Sequence, residues 1–331
     1  MTAVELDVEP PVRQEILAWL RRRTSSVRDW PLPTLVAAKG STRISVVLPA
    51  LDEQATVGTL VRVIRDQLVD RHGLVDELVV MDSGSTDDTA AVARAAGARV
   101  VHREEVLPGF DPLPGKGEVL WRSVAATTGD IVVFVDSDLY DFDPAFVTGL
   151  VGPLLRDPKV QFVKAAYNRP LRTGGSTEPH GGGRVTEILV RPLINVFWPE
   201  LAGFVQPLAG EYAVRRSVLE RLPFSTGYGV ELGLLVDALR AVGLDGLAQV
   251  DLVERKHRNS GIGRLGRMAG EIVQVALARA AQDGRLTLHG ALPAELVQFA
   301  RDGEVFLPTR ANVAAAERPP MITVTTSGAT R

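Results

Sequence analysis

Two aspartates separated by one serine, Asp136-Ser137-Asp138, directly follow Ile131-Val132-Val133-Phe134-Val135, the most apolar run in the chain. An unbroken run of this kind is what a strand buried on both faces of a parallel sheet carries. Both carboxylates therefore stand where a buried strand emerges, and alternation along an extended backbone aims them to the same side. Hard oxygen donors suit magnesium or manganese, which bridge phosphate oxygens and neutralise a departing diphosphate. An isolated Asp-x-Asp is more often a pair of solvated turn aspartates, so it is the position after this strand that favours a metal. His257, in Arg255-Lys256-His257-Arg258-Asn259, lies just beyond the β-rich run Leu247 to Val253. It is a candidate further ligand through a neutral imidazole nitrogen, and the absence of cysteine leaves only carboxylate, imidazole or water for such a role.

Four other segments carry chemistry. Leu48-Pro49-Ala50-Leu51-Asp52-Glu53 and Asp82-Ser83-Gly84-Ser85 each end a β-rich run, and exposed backbone beside carboxylates reads a base and a ribose through hydrogen bonds. Neither is followed by Gly-x-Gly-x-x-Gly or Gly-x-x-x-x-Gly-Lys-Ser/Thr, which argues against dinucleotide and P-loop sites. Lys116 stands between Gly115 and Gly117 at a helix start, a cation on a loop able to reach a nucleotide. In His180-Gly181-Gly182-Gly183-Arg184-Val185-Thr186, three glycines expose N–H groups at a helix start with a guanidinium next to them, which suits a phosphate or carboxylate. Glu231 either caps a helix or binds sugar hydroxyls in a cleft.

The elements that must position these loops alternate. Runs at Ile44 to Leu48, Leu78 to Met81, Arg99 to His102, Ile131 to Val135 and Val160 to Ala166 read as strands. Val57, Leu60, Val61, Ile64 and Leu68 recur at helical spacing, Ser85 and Asp88 are spaced as a capping box, and Asp143-Pro144 opens a further helix. Pro192 should kink a helix beginning near Arg184. This order predicts an α/β fold with a doubly wound, mostly parallel sheet whose ligands gather at the carboxyl ends of the strands. Residues 1–42 read as an N-terminal extension, 43–260 as the main α/β domain in two halves of about 43–160 and 161–260, 261–317 as a C-terminal helical region and 318–331 as a disordered tail.

The chain has 331 residues, 45% hydrophobic and 23% charged, as in an ordinary globular protein. With 37 Lys plus Arg against 40 Asp plus Glu, no basic excess exists to hold a nucleic acid. No apolar run approaches the ~20 residues of a membrane span, and the start lacks the pattern of a secretory signal, so a cytoplasmic protein is expected.

Together, Pro49 to Glu53, the Asp82 to Asp88 turn and Asp136-Ser137-Asp138 resemble the GT-A nucleotide-sugar glycosyltransferases. More narrowly the chain is similar to the actinobacterial glucosyl-3-phosphoglycerate synthases. That likeness is carried by Pro114-Gly115-Lys116-Gly117, Gly181 to Glu187, Gly210-Glu211-Tyr212, Gly227 to Glu231 and His257-Arg258-Asn259. The resemblance implies a GT-A-like fold, UDP-glucose as donor, 3-phosphoglycerate as acceptor, Mg2+ (or Mn2+), retention at the anomeric carbon, a homodimer and a place in methylglucose lipopolysaccharide biosynthesis. It implies that Pro49, Ala50, Leu51, Glu53, Ser83, Lys116, Asp136 and Ser137 hold UDP, and that Asp138 and His257 hold the metal. Leu208 and Glu231 would hold the glucose, and Gly183, Arg184, Thr186 and Asn259 the phosphoglycerate. Lys116, Asp136, Asp138 and Glu231 are then the catalytic candidates. Two other classes remain open on the residues alone. A nucleotidyltransferase would need a Gly-rich basic loop after its first strand, where Leu48 to Glu53 has neither glycine nor base, and a non-catalytic nucleotide-binding regulator would need no acceptor site.

Overall fold

The computed structural model describes residues 11–168, 171–173, 176–178, 182–254 and 262–328. The chain opens with α1 (Pro11–Arg23), β1 (Thr24–Ser26) and α2 (Leu32–Lys39). Strand and helix then alternate as β2 (Ile44–Ala50), α3 (Val57–Ile64), β3 (Glu77–Asp82), α4 (Thr89–Ala95), β4 (Arg99–His102), α5 (Lys116–Ala126), β5 (Ile131–Phe134), α6 (Ala145–Arg156) and β6 (Phe162–Asn168). A small hairpin of β7 (Leu171–Thr173) and β8 (Ser176–Glu178) follows, then α7 (Arg191–Phe197), β9 (Tyr212–Arg215), α8 (Arg216–Leu219), β10 (Phe224–Ser225), α9 (Val230–Val242) and β11 (Leu247–Glu254). The last elements are α10 (Ile262–Gln282), a hairpin of β12 (Glu295–Asp302) and β13 (Val305–Asn312), β14 (Glu317–Arg318) and α11 (Met321–Gly328).

Eight strands form one sheet in the order β1-β11-β6-β9-β5-β2-β3-β4. Only β9 runs antiparallel to its neighbours, β5 and β6, so the expected α/β architecture with a mostly parallel sheet is what forms. The central strands are apolar throughout because helices cover both faces. Along β2, Ile44, Val46, Leu48 and Ala50 join one core while Val47 joins the other, and β5 divides its residues in the same way, Ile131 and Val133 against Val132 and Phe134. From β2 the chain builds outward through β3 and β4, then returns to place β5 on the other flank of β2. The crevice beyond the carboxyl ends of β2 and β5 is thus the switch point where such sheets take ligands.

Several expectations are corrected. Residues 11–42, read as part of an N-terminal extension, are built into the main sheet: β1 pairs in parallel with β11, Thr24 opposite Gln249, and covers an edge that would otherwise be unpaired. Trp19 is fully buried, its indole nitrogen 3.0 Å from the carbonyls of both Leu244 and Leu247, so α1 packs back on the domain. Ser85 does not cap α4. Its hydroxyl instead donates to Asp82 Oδ1 at 2.5 Å and accepts from Asp52 N at 3.0 Å, and the helix begins only at Thr89. Before Pro192 the helix widens into a π-turn over Thr186–Val190, a way of absorbing a residue that lacks an N–H.

The region 261–317 is helical only to Gln282; beyond it β12 and β13 pair around Gly303, whose φ of 59° suits the tight turn. The segment from Arg318 onward is ordered as far as it is described. Arg318 pairs opposite Phe224, its Nε donates to the fully buried Glu118 at 2.6 Å, and Met321 is buried. A buried carboxylate must find cations, and Glu118 finds Arg318 and Arg122.

Candidate active site

Three strand ends build the floor of a cleft of about 840 Å3. Past Phe134 the strand stops and Ser137-Asp138 turns, so the carboxylates reach the cleft by a turn rather than by continued alternation. That turn is tied to its neighbour: Ser137 Oγ donates to Pro49 O at 2.7 Å, and Thr56 Oγ1 donates to Ser137 O at 2.6 Å. The loop after β2 bends back through Asp52 at a φ of 56°, and the Asp52 carboxylate accepts from Thr86 N at 2.7 Å, which locks it to the loop after β3. Left-handed backbone is tolerated by aspartate because its short side chain bonds locally.

Lys116 enters at the start of α5. Gly115 takes a φ of 113°, and both Gly115 and Gly117 lie so close to the Ser225 to Gly227 backbone that no side chain fits. Those contacts press the helix start against the cleft wall. There the Lys116 ammonium spans Asp136 at 2.5 Å and Glu231, near the start of α9, at 2.8 Å. Burial disfavours the ammonium, but Asp136 and Glu231 more than offset this and hold it well above the usual lysine range. Gly210 supports the same arrangement from beneath, with the Asp136 carboxyl group seated where its Cβ would be.

Pro49, Ala50, Leu51, Glu53, Ser83, Lys116, Asp136, Ser137, Asp138, Leu208 and Glu231 all line this one cleft. Gly183, Arg184 and Thr186 line it as well, with Gly183 at a φ of 73° opening the helix that carries Arg184 and the buried Thr186. His257 and Asn259 lie outside the described residues, as do Lys256, His180 and Gly181. Among the described residues no group of three or more histidines, aspartates and glutamates is gathered to hold a metal. The donor chemistry nevertheless fits a hard cation: Asp138 offers carboxylate oxygen at the rim, no thiol is present, and Asp136 is engaged by Lys116.

Residues not singled out from the sequence complete the walls. Arg103, immediately after β4, reaches the cleft and donates to Ser83 Oγ at 3.3 Å; its place at the end of a parallel strand was the available signal. Arg264 and Arg267 come from α10, and Arg264 donates to the Tyr228 hydroxyl at 3.1 Å. Asn312, Ala314 and Ala316 close the far side from after the hairpin. Nothing in local sequence marks these last residues, because only the long-range fold brings them here.

A mostly parallel sheet with a cleft at its switch point accords with a glycosyltransferase, and the glycosyl transferase family 2 profile matches residues 45–211. Within that class the chain belongs to the glucosyl-3-phosphoglycerate synthase family. It is 50% identical over 306 residues to the synthase of Mycolicibacterium smegmatis, covering 92% of this chain and 98% of that one. To the synthase of Petrotoga mobilis it is 43% identical over 288 residues, covering 86% and 88%. The crystal structure of the Mycobacterium tuberculosis synthase with Mn2+, UDP-glucose and phosphoglyceric acid matches with a TM-score of 0.80 at 45% identity, covering 91% of this chain and 98% of that one. A second structure of that enzyme, with Mg2+ and UDP, matches with a TM-score of 0.81 at 45% identity over 91% and 99%. No described helix is long and apolar enough to cross a membrane.

Proposed function

We propose that this enzyme transfers glucose from UDP-glucose to 3-phosphoglycerate, giving glucosyl-3-phosphoglycerate. The observation that carries the reading is the division of one cleft into two differently charged ends. At one end Lys116 is clamped by Asp136 and Glu231 beside the loops of Pro49 to Glu53 and Ser83. At the other, Gly183, Arg184 and Thr186 present a helix start and a guanidinium, a place for a second anion. A donor alone would not require the second site; an acceptor bearing phosphate and carboxylate would.

In this reading Pro49, Ala50, Leu51, Glu53, Ser83, Asp136 and Ser137 hold the uridine and its diphosphate, and Lys116 faces the leaving diphosphate. Leu208 and Glu231 hold the glucose, while Gly183, Arg184, Thr186 and Asn259 hold the phosphoglycerate. A divalent cation, Mg2+ or Mn2+, held by Asp138 and His257, would supply charge neutralisation to the leaving group. Glu231 is ion-paired with Lys116, which does not suit a carboxylate nucleophile. We therefore read the transfer as retaining with front-face attack. The acceptor hydroxyl oxygen bonds to the anomeric carbon, the bond from that carbon to the diphosphate oxygen breaks, and the hydroxyl proton passes to a donor phosphate oxygen. The chain's share is alignment and fixed electrostatics.

The reading includes a cytoplasmic homodimer on the route to methylglucose lipopolysaccharides. Support for self-association is the apolar surface of the β12–β13 hairpin, where Phe299 is 67% and Phe306 is 66% exposed. The direct test is a donor-by-acceptor screen with product identified by mass and anomeric configuration by NMR. UDP-glucose should bind at least about tenfold tighter than GDP-glucose, a gap of ~1.4 kcal/mol, and equal affinities would remove the uridine assignment.

A further inference from the structure

Beneath the Lys116 bridge, β6 carries a lysine where its neighbours are apolar. Lys164 is fully buried, opposite Tyr212 in the strand register. Its ammonium donates to Ala209 O at 2.8 Å and lies 4.8 Å from the centre of the Tyr212 ring, which is itself stacked on Phe162. Ala209 is flanked by Leu208, which lines the cleft, and by Gly210, on which the Asp136 carboxylate rests. A buried ammonium is unfavourable unless partners compensate it. The groups facing it are Asp136 from the turn after β5, Lys116 from α5, Glu231 from α9, and Glu211 and Tyr212 at the start of β9. Glu211 accepts from the Tyr167 hydroxyl at 2.8 Å.

We infer that Lys164 is a positioning residue for the sugar end of the cleft: its buried ammonium ties down the Leu208 to Gly210 turn through Ala209 and places a positive charge beneath Glu231. It touches no reacting atom; it acts on the glucose through Leu208 and Glu231. The inference rests on the assignment of Leu208 and Glu231 to the glucose.

Charge on this group is conditional. Burial, with Lys116 adding to the fall, outweighs the upward pull of Glu231, Glu211 and Asp136 and leaves Lys164 at about 8. A depressed ammonium loses its proton as pH rises through that value, so the grip on the sugar end is stronger at pH 7 than at pH 9. The uridine loops are anchored elsewhere, through Ser137 to Pro49 and Asp52 to Thr86, and do not share this dependence.

The test is calorimetric titration of UDP-glucose and of UDP, each with Mg2+, at pH 7 and pH 9, on the full chain and on Lys164→Met and Glu231→Gln. At pH 7, Lys164→Met should weaken UDP-glucose about tenfold and leave UDP within about twofold, in line with the loss of one charge-assisted hydrogen bond. The wild-type advantage of UDP-glucose over UDP should shrink between pH 7 and pH 9, and Lys164→Met should show no such change. Wild-type-like UDP-glucose binding by Lys164→Met, equal loss of both ligands, or an unchanged pH response would overturn the inference. If Lys164→Met does not fold, the wild-type comparison decides: a pH-independent advantage overturns it. If Glu231→Gln keeps the full advantage, it is the sugar assignment that has failed.

Discussion

Gly210→Ala is a one-carbon perturbation of the catalytic end of the cleft. A Cβ at Gly210 would lie under 3.0 Å from Asp136 Oδ1, Oδ2 and Cγ, whereas ordinary contact begins near 3.4 Å. Gly210 lies on the turn that Lys164 holds through Ala209, so the carboxylate is the part that gives way, by about 1 Å. That shift lengthens the 2.5 Å pair with Lys116 and displaces the ammonium that the proposed reading sets against the leaving diphosphate. A misplacement of ~1 Å near the reacting centre costs roughly 100-fold, about 2.7 kcal/mol of barrier. Steady-state assays of UDP release should find the loss chiefly in kcat, with circular dichroism and thermal melting showing a retained fold. Gly109→Ala is the control, since nothing stands within 4 Å of a Cβ there. If Gly210→Ala stays within about threefold of wild type while Gly109→Ala behaves normally, a fixed Asp136 is not needed and the reasoning fails.

Asp138→Ala should abolish turnover with the fold intact, because a half-buried turn carboxylate carries little packing; Mn2+ titration should lose its binding heat, and a near wild-type rate in chelator would sink the metal assignment. Arg184→Ala should lower the acceptor specificity constant by roughly one to two orders of magnitude, the worth of about one charge-assisted hydrogen bond, while UDP-glucose affinity barely moves; the opposite pattern would reverse the two ends of the cleft. Arg318→Ala leaves Glu118, which is fully buried, with Arg122 as its remaining partner, and should cost about 3–5 kcal/mol in urea unfolding. A loss below about 1 kcal/mol would mean that the last strand is dispensable.

What could be read in the sequence follows from the range of the interactions involved. The strand at Arg99 to His102 occurs with the expected bounds, because period and punctuation are local properties. The fourteen candidate site residues within the described segments meet in one cleft, since every loop at the carboxyl edge of a parallel sheet is brought to the same rim. The capping spacing of Ser85 is misleading because it does not reveal that the hydroxyl donates to the Asp82 carboxylate and accepts from the Asp52 backbone N–H. The end of the chain was misread for a related reason: Thr, Ser and Gly after Arg318 look unstructured until Glu118, far upstream, is known to be buried. Lys164 gives no signal at all, as a lysine in an apolar run is indistinguishable from an edge position until its partners are in place.

The far wall of the cleft has a consequence for how the enzyme responds to damage. Thr226 N donates to Ala316 O at 2.9 Å and β10 pairs with β14, so the pocket is sealed by a segment almost 270 positions after Pro49. The largely exposed stretch from Thr287 to Gly290 therefore lies between two parts of one binding surface. Ligand occupancy is linked to the docking of both parts and should add RT ln(1 + [L]/Kd) to the stability of the whole chain rather than of its first half. A protease that nicks this stretch would leave a protein held together by the sealed pocket itself, more tenaciously in the presence of nucleotide sugar than in its absence.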